Sequence, residues 1–419
     1  MALLIGCIAD DLTGATDVAV TFSREGLSVL QVNGVPDAAL PAPNADAVVV
    51  ALKSRTIPVD EAIAMSLESL AWLRSHGAER IYFKYCSTFD STPKGNIGPV
   101  TEVLADTLAA GIVPATPAYP RNARTVYLGY LFVGDVLLSD SSMRTHPLTP
   151  MTDSNLVRVL AAQSKAKVGL VTHPVVDRGA QAIAAKLSEL QASGHRHAIL
   201  DATNDAHLFA AGKAALDLPL ATGGAGLAMG LATNLRDRAR GADAADFPKP
   251  AGPAAILAGS CSQATLGQLA AIRARYAALR LDPIELARGG GTIEKVIEWA
   301  RNSLGDKPIV VYASAPPAEV ARAREALGQD RAAEAVEDAF RAIAKALADA
   351  GVQQFIVAGG ETSGAVVEAL GVRALRIGPE IAPGVPWTAA VGGRPCLLAL
   401  KSGNFGGPDF FLRAFEVLK

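Results

Sequence analysis

Short apolar runs alternate with amphipathic stretches along most of this chain, and that alternation restricts it to a narrow class of folds. The runs "LLIGCIA", "ADAVVVAL", "RIYFKYC", "KVGLV" and "HAILD" are brief, rich in β-branched residues and bounded by turn formers, as buried strands are. Between them, Asp60–His76, Pro99–Ala110 and Asp177–Ser193 carry helical periodicity. Such alternation predicts an α/β fold with a mainly parallel sheet. The pattern stops at Gly241–Pro253, where Pro248, Pro250 and Pro253 crowd together, and this stretch reads as a linker. Afterwards "AAILAG", "PIVVYA", "QQFIVAG", "RALRIG" and "CLLAL" restore the alternation. The expectation is two α/β domains with mainly parallel sheets, residues 1–245 and 246–419, and an active-site cleft between them.

A length of 419 residues suits two cores rather than one. The net charge is -2, from 39 Lys+Arg against 41 Asp+Glu, so there is no basic field for nucleic acid and no polybasic membrane patch. Aromatics at 5% leave no stacking platform for single strands. Cys7, Cys86, Cys261 and Cys396 are scattered without a C-x-x-C pair, which argues against zinc or a disulfide framework and for a reducing cytoplasm. The apolar start lacks a basic lead and runs straight into Asp10 and Asp11, unlike a secretory signal, and no run is long enough to span a membrane.

The stretch "IADDLTGATDVA" ends a buried run in two adjacent carboxylates. Asp11 or Thr13 could cap the next helix, but capping needs one acid. Two side by side repel each other unless a cation or a reacting hydroxyl engages them. In an open α/β sheet this position is the carboxyl end of a strand, where ligands bind. A second polar segment, "FKYCSTFDSTPKGNIGPV", packs Lys84, Ser87, Thr88, Asp90, Ser91, Lys94 and Asn96 into a loop longer than a minimal connection. Its lysines suit a carboxylate, and its hydroxyls with Asp90 suit sugar hydroxyls. "ALKSRT" adds Arg55, fit for a bidentate carboxylate, and Lys53, which reads as a solvated surface lysine.

In the second half, three strand ends share one character. "ILAGSCSQAT" supplies Ser260 and Ser262, "FIVAGGETSGAV" supplies Gly360, Glu361, Thr362 and Ser363, and "LALKSGNFGG" supplies Gly403 after Lys401. Glycines admit close backbone approach and helix starts present free amides, so three such loops on one sheet edge would cradle a polyphosphate. Neither a Walker P-loop nor the G-x-G-x-x-G fingerprint is present, and "TGGAGLAMG" reads as a strand–helix turn. Asp153 reads as a helix N-cap and His146 as a satisfied loop residue. His173 and His207, like His76, stand alone in the sequence and predict no cluster.

Taken in order, "CIADDLTGATDVA", "FKYCSTFDSTPKGNIGPV", "HPLTPMTDSNL", "GSCS", "GGETSGAV" and "LKSGNFG" resemble the four-carbon acid sugar kinases, from Leu3 to about Phe411. The loop "CSTFDSTPKGNIG" is similar to the 3-oxo-tetronate branch rather than to the shorter "KIDSTLRGNIG" of erythronate and threonate kinases. Ala123 in "AYPRNARTVY" stands where the family pattern suggests glycine. The resemblance implies a sugar-acid-binding first domain and an ATP-binding second domain, with Mg²⁺ carried largely by the phosphates. It implies transfer of phosphate to the C4 hydroxyl of a 3-oxo-tetronate. By the matching motifs, Asp10 and Asp11 would be catalytic, with Arg55, Lys84, Thr88, Asp90, Ser91 and Lys94 on the sugar acid. Ser260, Gly360, Glu361, Thr362, Ser363 and Gly403 would meet the nucleotide. The sequence leaves open the metal ligands, the choice of base between Asp10 and Asp11, and a homodimer. The alternatives are an erythronate or threonate kinase and, more remotely, a sugar-acid sensor without catalysis.

Overall fold

The computed structural model describes residues 3–37, 40, 44–146, 148–240, 247–249, 252–289 and 291–418. Most of the expected linker, residues 241–246, 250 and 251, lies outside them. The chain divides into two compact units, residues 1–242 and 243–419.

In the first unit the strands lie in the order Val29–Asn33, Ala47–Ala51, Ile5–Ala9, Ile81–Lys84, Leu220–Gly223, Val113–Thr116, His195–Leu200, Lys167–Val171. Every pairing between them is parallel. Ile5–Ala9 and Ala47–Ala51 are buried at every position, because helices cover both faces and leave no solvated side to alternate with. The helix after Ile5–Ala9, Leu12–Arg24, packs on Ala225–Thr233, whereas Val59–Ser75 packs on Ile97–Thr107. The chain leaves the central strand Ile5–Ala9 toward one side and later returns on its other side with Ile81–Lys84. That reversal is the switch point at which open α/β sheets form a crevice beyond their carboxyl ends. A small antiparallel sheet, Arg124–Tyr127, Tyr130–Val133 and Val136–Leu137, stands apart from the main one. Ala123 enters it with φ 54, the left-handed turn conformation that the expected glycine would adopt.

In the second unit the order is Ala278–Arg280, Ile309–Tyr312, Ala254–Ala258, Gln354–Ala358, Leu397–Lys401, Val385–Val391, Ala374–Ala382. The first five pair in parallel and the last two antiparallel. Alternate strand residues feed two cores, as a period of two requires. Ala255, Leu257, Phe355, Val357 and Leu398 meet the long helix Gln329–Asp349, while Ile256, Ile356, Leu397 and Ala399 meet the helices Gln263–Ile272 and Phe410–Glu416. Trp387 closes the second layer, its indole N–H donating to the Ala414 carbonyl at 2.7 Å. Among the described residues no helix is long and apolar enough to cross a membrane.

Candidate active site

At the switch point the Asp10 amide donates to the Lys84 carbonyl, and the Asp10 carbonyl accepts from Ser54 and Arg55. These bonds bring three strand ends together. Asp11 is the N-cap of Leu12–Arg24: its Oδ2 accepts from the Gly14 amide at 3.1 Å. Capping is therefore one of its roles, and the other faces Arg55. The Arg55 fork grips Asp10 through Nε (2.9 Å) and Nη2 (2.7 Å), and Nη2 also reaches Asp11 Oδ1 at 2.5 Å. Its remaining nitrogen, Nη1, lies 3.5 Å from Asp90 Oδ2. The sequence suggested this fork for a substrate carboxylate, but the protein's own Asp10 holds two of its three nitrogens.

Burial raises the Asp10 carboxyl above its ordinary value, against the lowering effect of the Arg55 hydrogen bonds. For Arg55 burial opposes the charge, but the bonds to Asp10 and the fields of both aspartates outweigh it and hold the group above its usual value. Asp11 is the more accessible acid, with 28% of its side chain exposed against 6% for Asp10. Lys84 is buried and donates to the Tyr85 carbonyl at 2.7 Å. A Cβ on Gly14 would lie 3.0 Å from its ammonium and 2.3 Å from Asp11 Oδ1, so only glycine lets both groups approach the helix start.

The loop from Tyr85 to Asn96 folds over this cluster. Phe89 and Asp90 both take positive φ, 64 and 33, a strained pair that turns Asp90 back toward Arg55. Thr88 Oγ1 donates to Asp90 Oδ1 at 2.5 Å, and Ser91 Oγ accepts from Gln163 at 2.8 Å. Asn96 Nδ2 donates to the carbonyls of Ser54 and Ile57, tying the loop to the Arg55 segment. A small cleft is lined by Asp10, Ser54, Arg55, Asp90, Ser91 and Asn96. Of the expected residues, Asp10, Asp11, Arg55, Lys84, Thr88, Asp90 and Ser91 converge here, whereas Lys94 is exposed, as is Lys53. Asn96 and Gln163 belong to the same assembly but were not among the residues assigned to the sugar acid.

Two other expectations need correction or completion. Asp153 is not the N-cap: Asn155 is, accepting from Arg158 N at 3.1 Å, while Asp153 holds the Arg158 guanidinium by two bonds. The helix begins two residues later than an Asp153 cap would place it. His173 and His207 do not stand alone, since their rings lie 4.9 Å apart beside Asp177. Sequence spacing hid this because two different strand–helix junctions bring them together. His207 Nδ1 accepts from the Thr203 amide at 3.2 Å, so in its neutral form Nε2 carries the proton and faces Asp177 at 3.2 Å. His146 is satisfied within its loop, accepting from the Thr149 amide at 3.1 Å.

In the second unit the strands ending at Ala258, Ala358 and Lys401 are hydrogen-bonded neighbours in register, so their three loops leave one row of the sheet. Gly359 has φ 129 and ψ 140, a conformation essentially confined to glycine, and among the described residues no side chain caps the following helix Gly360–Ala369. Its first amides are thus free for an anion. Ser363 Oγ is buried without a hydrogen-bond partner among the described residues. Gly403 lies against Ser260 and Ser262, and its carbonyl accepts from Ser262 Oγ (2.6 Å), Thr265 Oγ1 (3.0 Å) and Lys401 Nζ (3.0 Å). Gln268 Nε2 contacts the carbonyls of Phe405, Gly406 and Gly407 at 2.9–3.0 Å. With its carbonyls drawn toward the helix Gln263–Ile272, the loop leaves the Gly403 and Asn404 amides without backbone partners among the described residues. An unpartnered hydroxyl, an uncapped helix start and free loop amides fit the phosphates of a nucleotide. Gln268 and Thr265 escaped the sequence reading.

One α/β unit carries an acid-rich crevice and the other an amide-lined cradle, and the family models give each unit its class. A family model described as a sugar-binding N-terminal domain matches residues 5–231, and one described as a nucleotide-binding C-terminal domain matches residues 255–411. The chain belongs to the four-carbon acid sugar kinase family. It is 52% identical to a 3-oxo-tetronate kinase of Cupriavidus necator, over 99% of this chain and 97% of that one, and 51% identical to a 3-oxo-tetronate kinase of Burkholderia multivorans at the same coverage. A crystal structure of a Haemophilus influenzae protein superposes with TM-score 0.91 at 44% identity, covering 99% of this chain and 100% of the other.

Proposed function

We propose that the protein is an ATP-dependent 3-oxo-tetronate kinase that phosphorylates the C4 hydroxyl. Full-length similarity to curated 3-oxo-tetronate kinases at 45–52% identity carries this reading. The two constellations support it from the chemistry side. Phosphoryl transfer needs a group to orient the hydroxyl and take its proton, and donors to hold the transferring charge.

Asp11 is the base for the hydroxyl, because it is the more accessible carboxylate and its position is fixed by the helix it caps. Asp10 is the positioning partner that locks Arg55. Arg55 Nη1, held only by its 3.5 Å ion pair with Asp90, and the Lys84 ammonium provide positive charge for the sugar acid's carboxylate, and Thr88, Asp90 and Ser91 face its hydroxyls. Lys94, exposed at the loop, is left with an outer role at most. The hydroxyl oxygen bonds to the γ-phosphorus as its proton passes to Asp11, the bridging P–O bond breaks, and ADP leaves. Ser260, Gly360, Glu361, Thr362, Ser363 and Gly403 contact the nucleotide. Mg²⁺, bound chiefly by phosphate oxygens, would neutralise charge there; among the described residues the one cluster of three or more candidate ligands is His173, Asp177 and His207, which belongs to neither constellation. Four free cysteines suit a reducing cytoplasm.

ADP release with Mg-ATP, measured across both C2 epimers of 3-oxo-tetronate, erythronate and threonate, tests the reading. Turnover confined to the 3-oxo acids is expected. Turnover on the hydroxy acids alone would replace the substrate and keep the reaction class.

A further inference from the structure

Lys401 ends the strand Leu397–Lys401 and is 1% exposed. Its ammonium donates to Thr265 Oγ1 and to the Gly403 carbonyl, both at 3.0 Å, and lies 5.8 Å from the Phe410 ring centre. No carboxylate pairs with it among the described residues. Helix Gln263–Ile272 and strand Gln354–Ala358 bring no charged side chain against it. The helices Gly360–Ala369 and Phe410–Glu416 carry Glu361, Glu368, Arg413 and Glu416, with Asp409 preceding the second, and none of them forms an ion pair with Lys401. A buried cation without a counter-charge is costly unless an anion completes it. Here the group it holds is the loop whose amides are free.

We propose that Lys401 is a positioning residue for the nucleotide: it fixes the Gly403 loop from behind, and it is the buried positive charge that the polyphosphate neutralises. The proposal rests on reading these loops as the nucleotide site, and it does not depend on which sugar acid is phosphorylated. Burial alone pushes the Lys401 ammonium down to about 8, so a fraction of it is neutral in mildly alkaline solution. An anion bound nearby favours the protonated form, and by linkage protonation favours the anion. Nucleotide affinity therefore falls as pH rises through about 8.

Calorimetric titration of magnesium–ADP into the full-length wild-type protein and Lys401→Met, at pH 7 and pH 9, tests this, with melting temperature and sugar-acid KM recorded alongside. At pH 7 the variant should bind ADP about tenfold or more weakly, the scale of a lost charge-assisted contact. Its melting temperature should not fall, because an uncompensated buried charge has been replaced by an apolar chain of similar length, and its sugar-acid KM should be unchanged. Wild-type affinity should drop between pH 7 and pH 9 and the variant's should not. Equal ADP affinity in the two proteins at pH 7 overturns the proposal, as does a wild-type affinity independent of pH, which remains readable even if the variant fails to fold. Absence of ADP binding to the wild type overturns it as well. Lys401-dependent ADP binding without turnover on any sugar acid upholds it while removing the substrate reading.

Discussion

Substituting the two adjacent aspartates should separate their roles, because only Asp10 is locked into the interior by a bidentate partner. Asp11→Asn keeps a side-chain oxygen for the Gly14 amide, and asparagine caps helices as well as aspartate does, so the melting temperature should hold. Turnover should fall by about 10²–10⁴-fold, the range for loss of a general base, with little change in sugar-acid KM. Asp10→Asn leaves the Arg55 charge short of its partner. Stability should drop, though by less than the roughly 3–5 kcal/mol of a fully buried pair, because 21% of the Arg55 side chain remains exposed. Chemical denaturation and steady-state kinetics on both variants distinguish the patterns, and near-full turnover in Asp11→Asn would remove it as the base. At the same scale, the depressed Lys401 ammonium has a consequence for stability with a definite sign. Between about pH 8 and the unfolded-state value near 10.4 the native protein binds fewer protons at this site than the unfolded chain, so unfolding becomes harder as pH rises. That contribution is present above the unfolded value and lost as pH falls through about 8. Buried thiols and phenols, which burial holds above their ordinary values in the native protein, titrate in this range once the chain unfolds, so the measurable quantity is a difference: wild type should gain stability relative to Lys401→Met from about pH 8 to about pH 10.5. A difference that stays flat would mean that Lys401 is solvated.

At the scale of elements, the turn between strand Gln354–Ala358 and helix Gly360–Ala369 shows how backbone and site are linked. Gly359→Ala forces φ 129 on a residue with a Cβ and brings that Cβ to 3.0 Å from Thr362 Oγ1. A loss of about 1–3 kcal/mol is expected from the conformation alone. The helix start should move with it, so ADP affinity should fall more than sugar-acid affinity; equal losses for the two ligands would point to general destabilisation. As a strand–helix turn this junction was legible beforehand, because Gly-Gly follows an apolar run and precedes hydroxyls; its reading as a phosphate site came only from its likeness to the two other glycine loops. The elements that were missed each break the signal that identifies a strand. "VLQVN" carries a buried Gln31, "VPAT" and "VPWTAAV" contain prolines, and "LATG" and "ALR" are too short to show a period. In the site, Asp10, Asp11, Arg55 and Lys84 were readable as charges at strand ends. Gln268 and Thr265 were not, because they sit inside a helix. Their mark is that both fall on the buried stripe with Leu269 and Ile272, where a polar residue needs a partner. His173 and His207 meet only through tertiary structure, and no local pattern reports that.

At the scale of the whole molecule, the chain divides into two compact units, residues 1–242 and 243–419. The two cores of the second unit are drawn entirely from residues between Phe247 and Leu418, and the strands of the first unit are complete by Gly223. Two units that are each compact unfold as separate cooperative blocks, so calorimetry should resolve two transitions rather than one. The ligands should then divide between them by mass action. ADP at about a hundred times its Kd stabilises whatever binds it by roughly 2.7 kcal/mol, which for a unit of this size is a shift of several degrees. It should raise one transition and leave the other in place, and 3-oxo-tetronate should do the reverse. Mass spectrometry of the fragments that survive limited proteolysis at a temperature between the transitions assigns each to its half of the chain. If ADP protects the fragment from the first half instead, the glycine-loop constellation is not the nucleotide site. The reading of Ser260, Gly360–Ser363 and Gly403 would fall with it, whatever the enzyme phosphorylates.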